Sequence, residues 1–197
     1  MSRVCIATSS PKAYFAVASK LRSAGLPFVS LLPSQLTDRY ELVLTTRAES
    51  VGLRGKVLCV EDMSDDPDIV RGQVYAHSLG GNKKTIVGID PGRRLGLVAF
   101  YGEIELFSRT FNSASDVCAY LREVVLNIPS SGLIVRIGNG DRVLARQLAH
   151  DIAVALPSAR VEIVDESGTS ERGLNTRGLP SDQGAAARIA VRKGTPL

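Results

Sequence analysis

The residues of this sequence that could do chemistry are carboxylates at the ends of predicted strands and at the start of a predicted helix. Asp90 follows the apolar run TIVGI, and a Pro-Gly turn comes directly after it. Asp165 and Glu166 end a second apolar run, and Asp182 lies in the first turn of the last predicted helix. A carboxylate at a strand end is held rigidly while its oxygens reach solvent.

Carboxylates that converge on one face of a fold repel one another unless a divalent cation lies between them. Oxygen ligands without histidine or cysteine select Mg²⁺ or Mn²⁺. Two such ions, about 3.5–4 Å apart, activate a water and stabilise the leaving oxygen in phosphodiester cleavage. Taken singly, Asp90 also fits an ordinary turn residue, and Asp182 also fits an acid that stabilises a helix dipole.

Other catalytic chemistries lack the residues they need. The chain has two histidines, His77 and His150, which excludes a histidine-rich metal site. The three cysteines, Cys5, Cys59 and Cys118, are far apart and form no CxxC pair. This odd, scattered set argues against a disulfide framework and against a thiolate zinc site. No GxSxG nucleophile motif is present.

The second half of the chain predicts the element order βββαβαβα, which would position these acids. Three strands form an antiparallel meander, and strands and helices then alternate. In chain order the predicted elements are TIVGID, LGLVAFYG, EIELFSRTF, a helix over 114–128, LIVRIG, a helix over 141–156, VEIVDE and a helix over 181–193.

The first half predicts a small α/β domain with a parallel sheet. Four short apolar runs read as strands, and Ser9 or Ser10 before Pro11 predicts the start of a helix. Residues 63–84 break this pattern, and we expect a linker near Gly80–Lys84. The predicted domains are therefore residues 1–80, of unknown role, and residues 84–197.

Composition sets broad limits on function. The 44% of apolar residues can bury a core, and a net charge of +4 is mildly basic. Aromatic residues make up only 5%, which argues against a protein that stacks single-stranded bases on aromatic rings. No run approaches the roughly 20 apolar residues of a membrane span, and the N-terminus has no signal-peptide pattern. We expect a cytoplasmic protein without a membrane partner.

Three motifs in order carry a resemblance to known nucleases. Residues 86–92, IVGIDPG, with Gly96 further along, look like the opening strand of RuvC-type Holliday junction resolvases. Residues 164–170, VDESGTS, resemble the Asp-Glu-Arg-x-Thr-Thr motif of YqgF-type nucleases, and residues 182–186, DQGAA, resemble their final Asp-x-x-Ala-Ala. The order βββαβαβα is that of the RNase H-like fold that both groups share. The resemblance covers about residues 84–194.

The resemblance implies a set of roles for residues of this chain. Asp90, Glu166 and Asp182 would be the catalytic acids that bind Mg²⁺ or Mn²⁺. Asp165 and Thr169 would support them without binding the metal themselves. The predicted strand LIVRIG carries no acid, whereas RuvC-type enzymes place a glutamate there, so the sequence is nearer to the YqgF arrangement.

Arginines near the acids fit a phosphate backbone, because the guanidinium fork matches phosphate oxygens. Each of them taken alone also fits an ordinary solvated surface residue. The candidate nucleic-acid-binding residues are Arg93, Arg94, Arg172, Arg177, Arg188 and Arg192.

The leading interpretation is a metal-dependent endonuclease that hydrolyses phosphodiester bonds in structured nucleic acid, either a DNA junction or a structured RNA. The resemblance to resolvases adds the expectation of a homodimer. The alternative is a catalytically degenerate RNase H-fold module that binds nucleic acid or a protein. Ser167 in place of the family's arginine, and the short Gly-rich segment before Asp182, favour that alternative. A nucleotide-binding protein of the actin and sugar-kinase fold would need a second phosphate loop, which the sequence lacks.

Overall fold

The structure is a computed structural model that describes residues 4–37, 39–165 and 181–196, with residues 181 and 182 described by their backbone alone. The chain divides into two compact units. One contains residues 1–82 and 127–129, and the other contains residues 83–126 and 130–197. The fold is α/β, with a parallel sheet in the first unit and a mixed sheet in the second.

The N-terminal unit contains a four-stranded parallel sheet in the order β2-β1-β3-β4. Its strands are β1 (Val4–Ala7), β2 (Val29–Leu31), β3 (Leu42–Thr45) and β4 (Val57–Cys59). Its helices are α1 (Pro11–Ser23) and α2 (Pro67–Leu79).

Local capping explains where these two helices begin. Ser10 caps α1 by accepting a hydrogen bond from the backbone of Ala13, which confirms the predicted start. The sequence interpretation was wrong in treating residues 63–84 as irregular, because α2 occupies most of them. Asp66 caps α2, and Gly80 ends it in the left-handed conformation, with φ of 83°.

A carboxylate ties together two loops at the carboxyl end of the parallel sheet. Glu49 accepts hydrogen bonds from Thr8 Oγ1 at 2.6 Å, Ser9 N at 2.7 Å, Ser9 Oγ at 2.5 Å and Thr46 Oγ1 at 2.8 Å. Partial burial would raise the pKa of Glu49, but these hydrogen bonds outweigh it and lower the pKa to about 2. Glu49 therefore holds the loops after β1 and β3 as an ionised group.

The C-terminal unit contains a six-stranded mixed sheet in the order β10-β9-β8-β5-β6-β7. Strands β5, β8 and β9 are parallel, β6 is antiparallel to both β5 and β7, and β10 is antiparallel to β9. The strands are β5 (Thr85–Pro91), β6 (Leu95–Tyr101), β7 (Ile104–Phe111), β8 (Leu133–Gly138), β9 (Arg160–Val164) and β10 (Thr195–Pro196). The helices are α3 (Ala114–Asn127), α4 (Arg142–Ala155) and α5 (Ser181–Val191). The predicted order βββαβαβα is present, with β10 as an addition.

Helix α5 lies directly on the central strand β5. A Cβ atom on Gly88 would lie 2.1 Å from the carbonyl oxygen of Ala186 and 2.7 Å from the Cβ of Ala190. Ala186 and Ala190 are buried, together with Val98 and Phe100 of the neighbouring strand β6. The absence of a side chain at position 88 is therefore what allows this close packing.

A buried ion pair holds the end of α5 against the sheet. Glu162, only 3% exposed, accepts hydrogen bonds from Arg136 Nε at 2.9 Å and from the Gly194 backbone at 3.3 Å, and pairs with Arg160 Nε at 2.7 Å. Arg136 also donates to the carbonyl oxygen of Ala190 at 2.6 Å. Burial would raise the pKa of Glu162, but the hydrogen bonds and the arginine charges outweigh it and lower the pKa.

Candidate functional site

Four strands of the mixed sheet end at the same edge. Strand β7 runs in the same direction as β5, because both are antiparallel to β6, and β8 and β9 are parallel to β5. Asp90, Asn112, Asn139 and Asp165 lie at or directly after the ends of these four strands. The edge therefore carries two carboxylates and two amides, all of which offer oxygen ligands.

Asp90 lies between glycines on both neighbouring strands. It pairs with Gly96 of β6 in the antiparallel ladder. In the parallel ladder Ile89 pairs with Ile137, so that Asp90 lies beside Gly138 of β8. Neither neighbour has a side chain to fill the space beside the half-buried Asp90.

Asp90 and α5 are on the same side of the sheet. Residues two apart in a strand face the same side, and Gly88 is the residue that contacts α5. The alternation therefore directs Asp90 towards the α5 side, one pleat nearer the carboxyl edge.

The first turn of α5 begins over the row of the sheet that contains Asp90. The Gln183 side chain donates a hydrogen bond to Thr110 Oγ1 at 3.4 Å. Thr110 pairs with Gly96, and Gly96 pairs with Asp90. Asp182 directly precedes Gln183 as the second residue of α5. Gln183 Oε1 also accepts a hydrogen bond from Ser108 Oγ at 2.9 Å, and Ser108 lies in the row of Gly88. The Gln183 side chain therefore spans the rows of Gly88 and Asp90, and the helix turn that carries Asp182 lies near these two rows.

A depression of about 430 Å³ opens beside Asp90. Gly92, Arg93, Arg94 and Asn112 form the rest of its lining. Arg93 and Arg94 are exposed in the turn between β5 and β6, as the sequence predicts for the turn after Asp90. One carboxylate and two guanidinium groups therefore border one concave surface.

Asp165 accepts hydrogen bonds from two other residues at the carboxyl edge. It is exposed directly after β9, and Asn139 Nδ2 donates a hydrogen bond to its carboxylate at 3.3 Å. Arg192 donates to the carbonyl oxygen of Asp165 at 3.3 Å, which brings this arginine to the edge. Arg188 lies one turn earlier on α5 and is half-buried. Asp165 thus links the loop after β8 to the end of α5.

The remaining predicted site residues lie outside the described residues: Glu166, Thr169, Arg172 and Arg177. Within the described ranges no three histidine, cysteine, aspartate or glutamate side chains are grouped to hold a metal ion. The triad of Asp90, Glu166 and Asp182 includes only one described side chain, so it stays a prediction.

Sequence reasoning missed Asn112 and Asn139. The predicted meander contained a signal for Asn112, because the third strand must end on the same edge as the first. The signal for Asn139 was its place directly after the predicted strand LIVRIG. In the described part of the chain no helix is long and apolar enough to cross a membrane.

No protein-family model and no curated protein matches this chain. Among solved structures, one similar chain is the Argonaute of Marinitoga piezophila, in complex with a 5′-hydroxyl guide RNA and a target DNA. The TM-score is 0.29 and the identity 13%, and the alignment covers 83% of this chain. The alignment spans 39% of the Argonaute chain.

Proposed function

We propose that residues 84–197 form an RNase H-like domain of the RuvC and YqgF type, and that the protein is a metal-dependent endonuclease. The element order βββαβαβα and the three sequence motifs support this fold assignment. A four-way DNA junction or a structured RNA is the proposed substrate, cut by a homodimer. Residues 1–80 form the second proposed domain.

The observation that carries this proposal is the arrangement around Asp90. Its carboxylate is on the α5 side at the end of the central strand, and the turn of α5 that includes Asp182 begins at the same level. Glu166 comes directly after Asp165, and Asp165 follows β9, which lies beyond β8 in the sheet. Three acids from separate elements are thus proposed to meet at one edge.

The donor chemistry of this edge fits Mg²⁺ or Mn²⁺. The described residues at the four strand ends offer only carboxylate and amide oxygens, the hard ligands that these ions prefer. Asp90, Glu166 and Asp182 would hold the ions. When bound, such an ion lowers the pKa of a coordinated water and stabilises the leaving oxygen.

The chain's own residues would bind and orient the substrate strand. Arg93 and Arg94 border the depression beside Asp90, where their forks can hold phosphate oxygens. Contacts to phosphates position a nucleic acid but do not read its sequence. We therefore propose that the protein selects the shape of its substrate, and that Arg192 extends the same basic surface along the edge.

A cleavage assay on a labelled panel tests the proposal. The panel contains a four-way junction, a fork, a DNA duplex, a single-stranded RNA and a structured RNA, each with Mg²⁺, Mn²⁺ or EDTA. We expect metal-dependent cleavage by the wild type and none by Asp90→Asn. Binding by Asp90→Asn should be equal or tighter, because a charge that repels phosphate is lost.

Asp116→Asn is the matched control, because Asp116 is an exposed aspartate on α3. It should cleave as well as the wild type. Binding without cleavage in any metal would contradict the nuclease and favour the degenerate binding module. Cleavage that survives Asp90→Asn would contradict the assigned site.

A further inference from the structure

A second concave surface lies on the opposite side of the same sheet. This surface, called here the α4 cleft, has a volume of about 270 Å³ and is lined by Asn139, Arg142, Arg146, Thr195 and Pro196, among others. Ile163 of β9 also lines it, and strand alternation directs this side chain away from the α5 side, where Glu162 lies.

We propose that the α4 cleft binds the phosphodiester backbone of the nucleic-acid strand that passes Asp90. This inference rests on the proposed function and extends its binding surface around the carboxyl edge of the sheet. Arg142 and Arg146 would contact two phosphates beyond the bond that is cut.

The charge of the cleft supports an anionic ligand. Arg142 and Arg146 are both exposed and lie four residues apart on α4, and therefore on one side of the helix. No ion pair of either arginine with a carboxylate is found within the described ranges. The nearby Asp141 caps α4, and its carboxylate accepts hydrogen bonds from the backbone N–H groups of Val143 and Leu144.

The lining of the cleft favours phosphates over bases. Two guanidinium forks match the geometry of phosphate oxygens, whereas recognition of single-stranded bases relies on aromatic stacking. No aromatic side chain is present among the described lining residues.

The position of the cleft allows one strand to reach both surfaces. Asn139 lines the cleft and also donates a hydrogen bond to Asp165 at the carboxyl edge. Three strand spacings separate β5 from β10, which corresponds to about 14 Å at roughly 4.8 Å per strand. A strand of several nucleotides that passes around the carboxyl edge spans this distance and the thickness of the sheet.

Salt-dependent binding tests the inference without requiring cleavage. The probe is a fluorescein-labelled 20-nucleotide DNA, single-stranded or as a duplex, and its anisotropy is measured in EDTA at increasing salt. We expect Arg142→Ala with Arg146→Ala to weaken binding and to reduce the slope of log K against log salt. Two lost phosphate contacts correspond to a slope change of about 1.4 for the single strand and about 1.8 for the duplex.

Two further variants serve as controls. Lys12→Ala with Arg54→Ala removes two exposed charges from the N-terminal unit and should leave the slope unchanged. Arg142→Lys with Arg146→Lys keeps the charge and should retain most of the slope. An unchanged thermal midpoint for each variant shows that folding is not what alters binding.

The outcomes separate this inference from the proposed function. If the wild type cleaves but the double alanine variant keeps the wild-type slope, the α4 cleft does not bind phosphates and the proposed nuclease activity is supported. If the wild type binds without cleaving and the double alanine variant has a smaller slope, the α4 cleft binds phosphates and the proposed nuclease activity is wrong. If the wild type binds neither form of the probe, the cleft is overturned.

Discussion

Asp90 is suited to bind a metal ion because glycines lie beside it on both neighbouring strands. Both neighbouring strands have glycine at the level of Asp90, so neither of these two strands places a side chain beside its carboxylate. The backbone there is fixed by ladders on both sides of β5, which limits the motion of the group. A rigidly held carboxylate is what a metal-ion site needs.

Glu49 is the residue whose ionisation should matter most for the stability of the N-terminal unit. Its folded-state pKa is about 2, against 4.5 for an ordinary glutamate. The unfolded chain therefore binds more protons than the folded chain between these values, so stability is lost as the pH falls from about 4.5 towards 2.

We expect Glu49→Gln to lower the free energy of unfolding at pH 7 by about 2 kcal/mol. The amide loses the charge and one of the two acceptor oxygens, and one hydrogen bond to a charged group contributes about 1.5–3 kcal/mol. The variant should also lose less stability than the wild type between pH 5 and pH 2.5. Urea unfolding at several pH values measures both effects. Glu41→Gln, at an exposed glutamate, is the control. A variant that loses as much stability in acid as the wild type would contradict this account.

At the scale of elements, the placement of α5 depends on Gly88. Any side chain at this position meets the backbone of α5, which cannot move away as a flexible side chain could. Gln183 of this helix contacts β7, and Arg192, directly after the helix, contacts Asp165 after β9. A shift of α5 would therefore alter both ends of the candidate site.

We expect Gly88→Ala to destabilise the protein by about 3 kcal/mol, at the upper end for overpacked cores. It should also abolish cleavage, because the turn that includes Asp182 moves with the helix. Gly92→Ala is the control for stability, since a Cβ at Gly92 meets nothing closer than 3.4 Å. Urea unfolding compares the two, and equal stability would contradict the close packing of α5 on β5.

The sequence was most informative about elements that have a strong local pattern. An apolar run followed by Asp-Pro-Gly predicted the end of β5, and Ser-Pro predicted the start of α1. Helix α2 was missed because the polar cluster before it dominated the interpretation, although Asp66 before Pro67 and the terminal Gly80 were visible signals. The ladder register decides what lies beside Asp90, and register depends on contacts far apart in sequence.

The sequence alone did not predict polar contacts between residues that are distant along the chain. Nothing local marks Arg136 as the partner of Glu162, since the two lie on different strands, 26 residues apart. The contact forms because β8 and β9 are neighbours and both side chains face α5. The same reasoning applies to Asn139 and Asp165, which meet only because their strands end together.

At the scale of the whole molecule, the chain combines two sheets of different design. One unit has a purely parallel sheet, and the other a mixed sheet whose carboxyl edge holds the candidate site. The units divide after residue 82, within the segment where the sequence predicts a linker. That residues 1–80 and 84–197 act as separate domains stays a proposal, as does the role of the first.

The central claim is that the edge containing Asp90 binds a divalent cation, and Mn²⁺ binding by the intact protein tests it most directly. Electron paramagnetic resonance reports free Mn²⁺, whose signal falls as the ion binds. We predict that the wild type and Asp116→Asn remove Mn²⁺ from solution and that Mg²⁺ displaces it. Asp90→Asn should bind Mn²⁺ at least about ten-fold more weakly, because one of the proposed carboxylate ligands and its negative charge are lost. Equal binding by Asp90→Asn, or none by the wild type, would contradict the account.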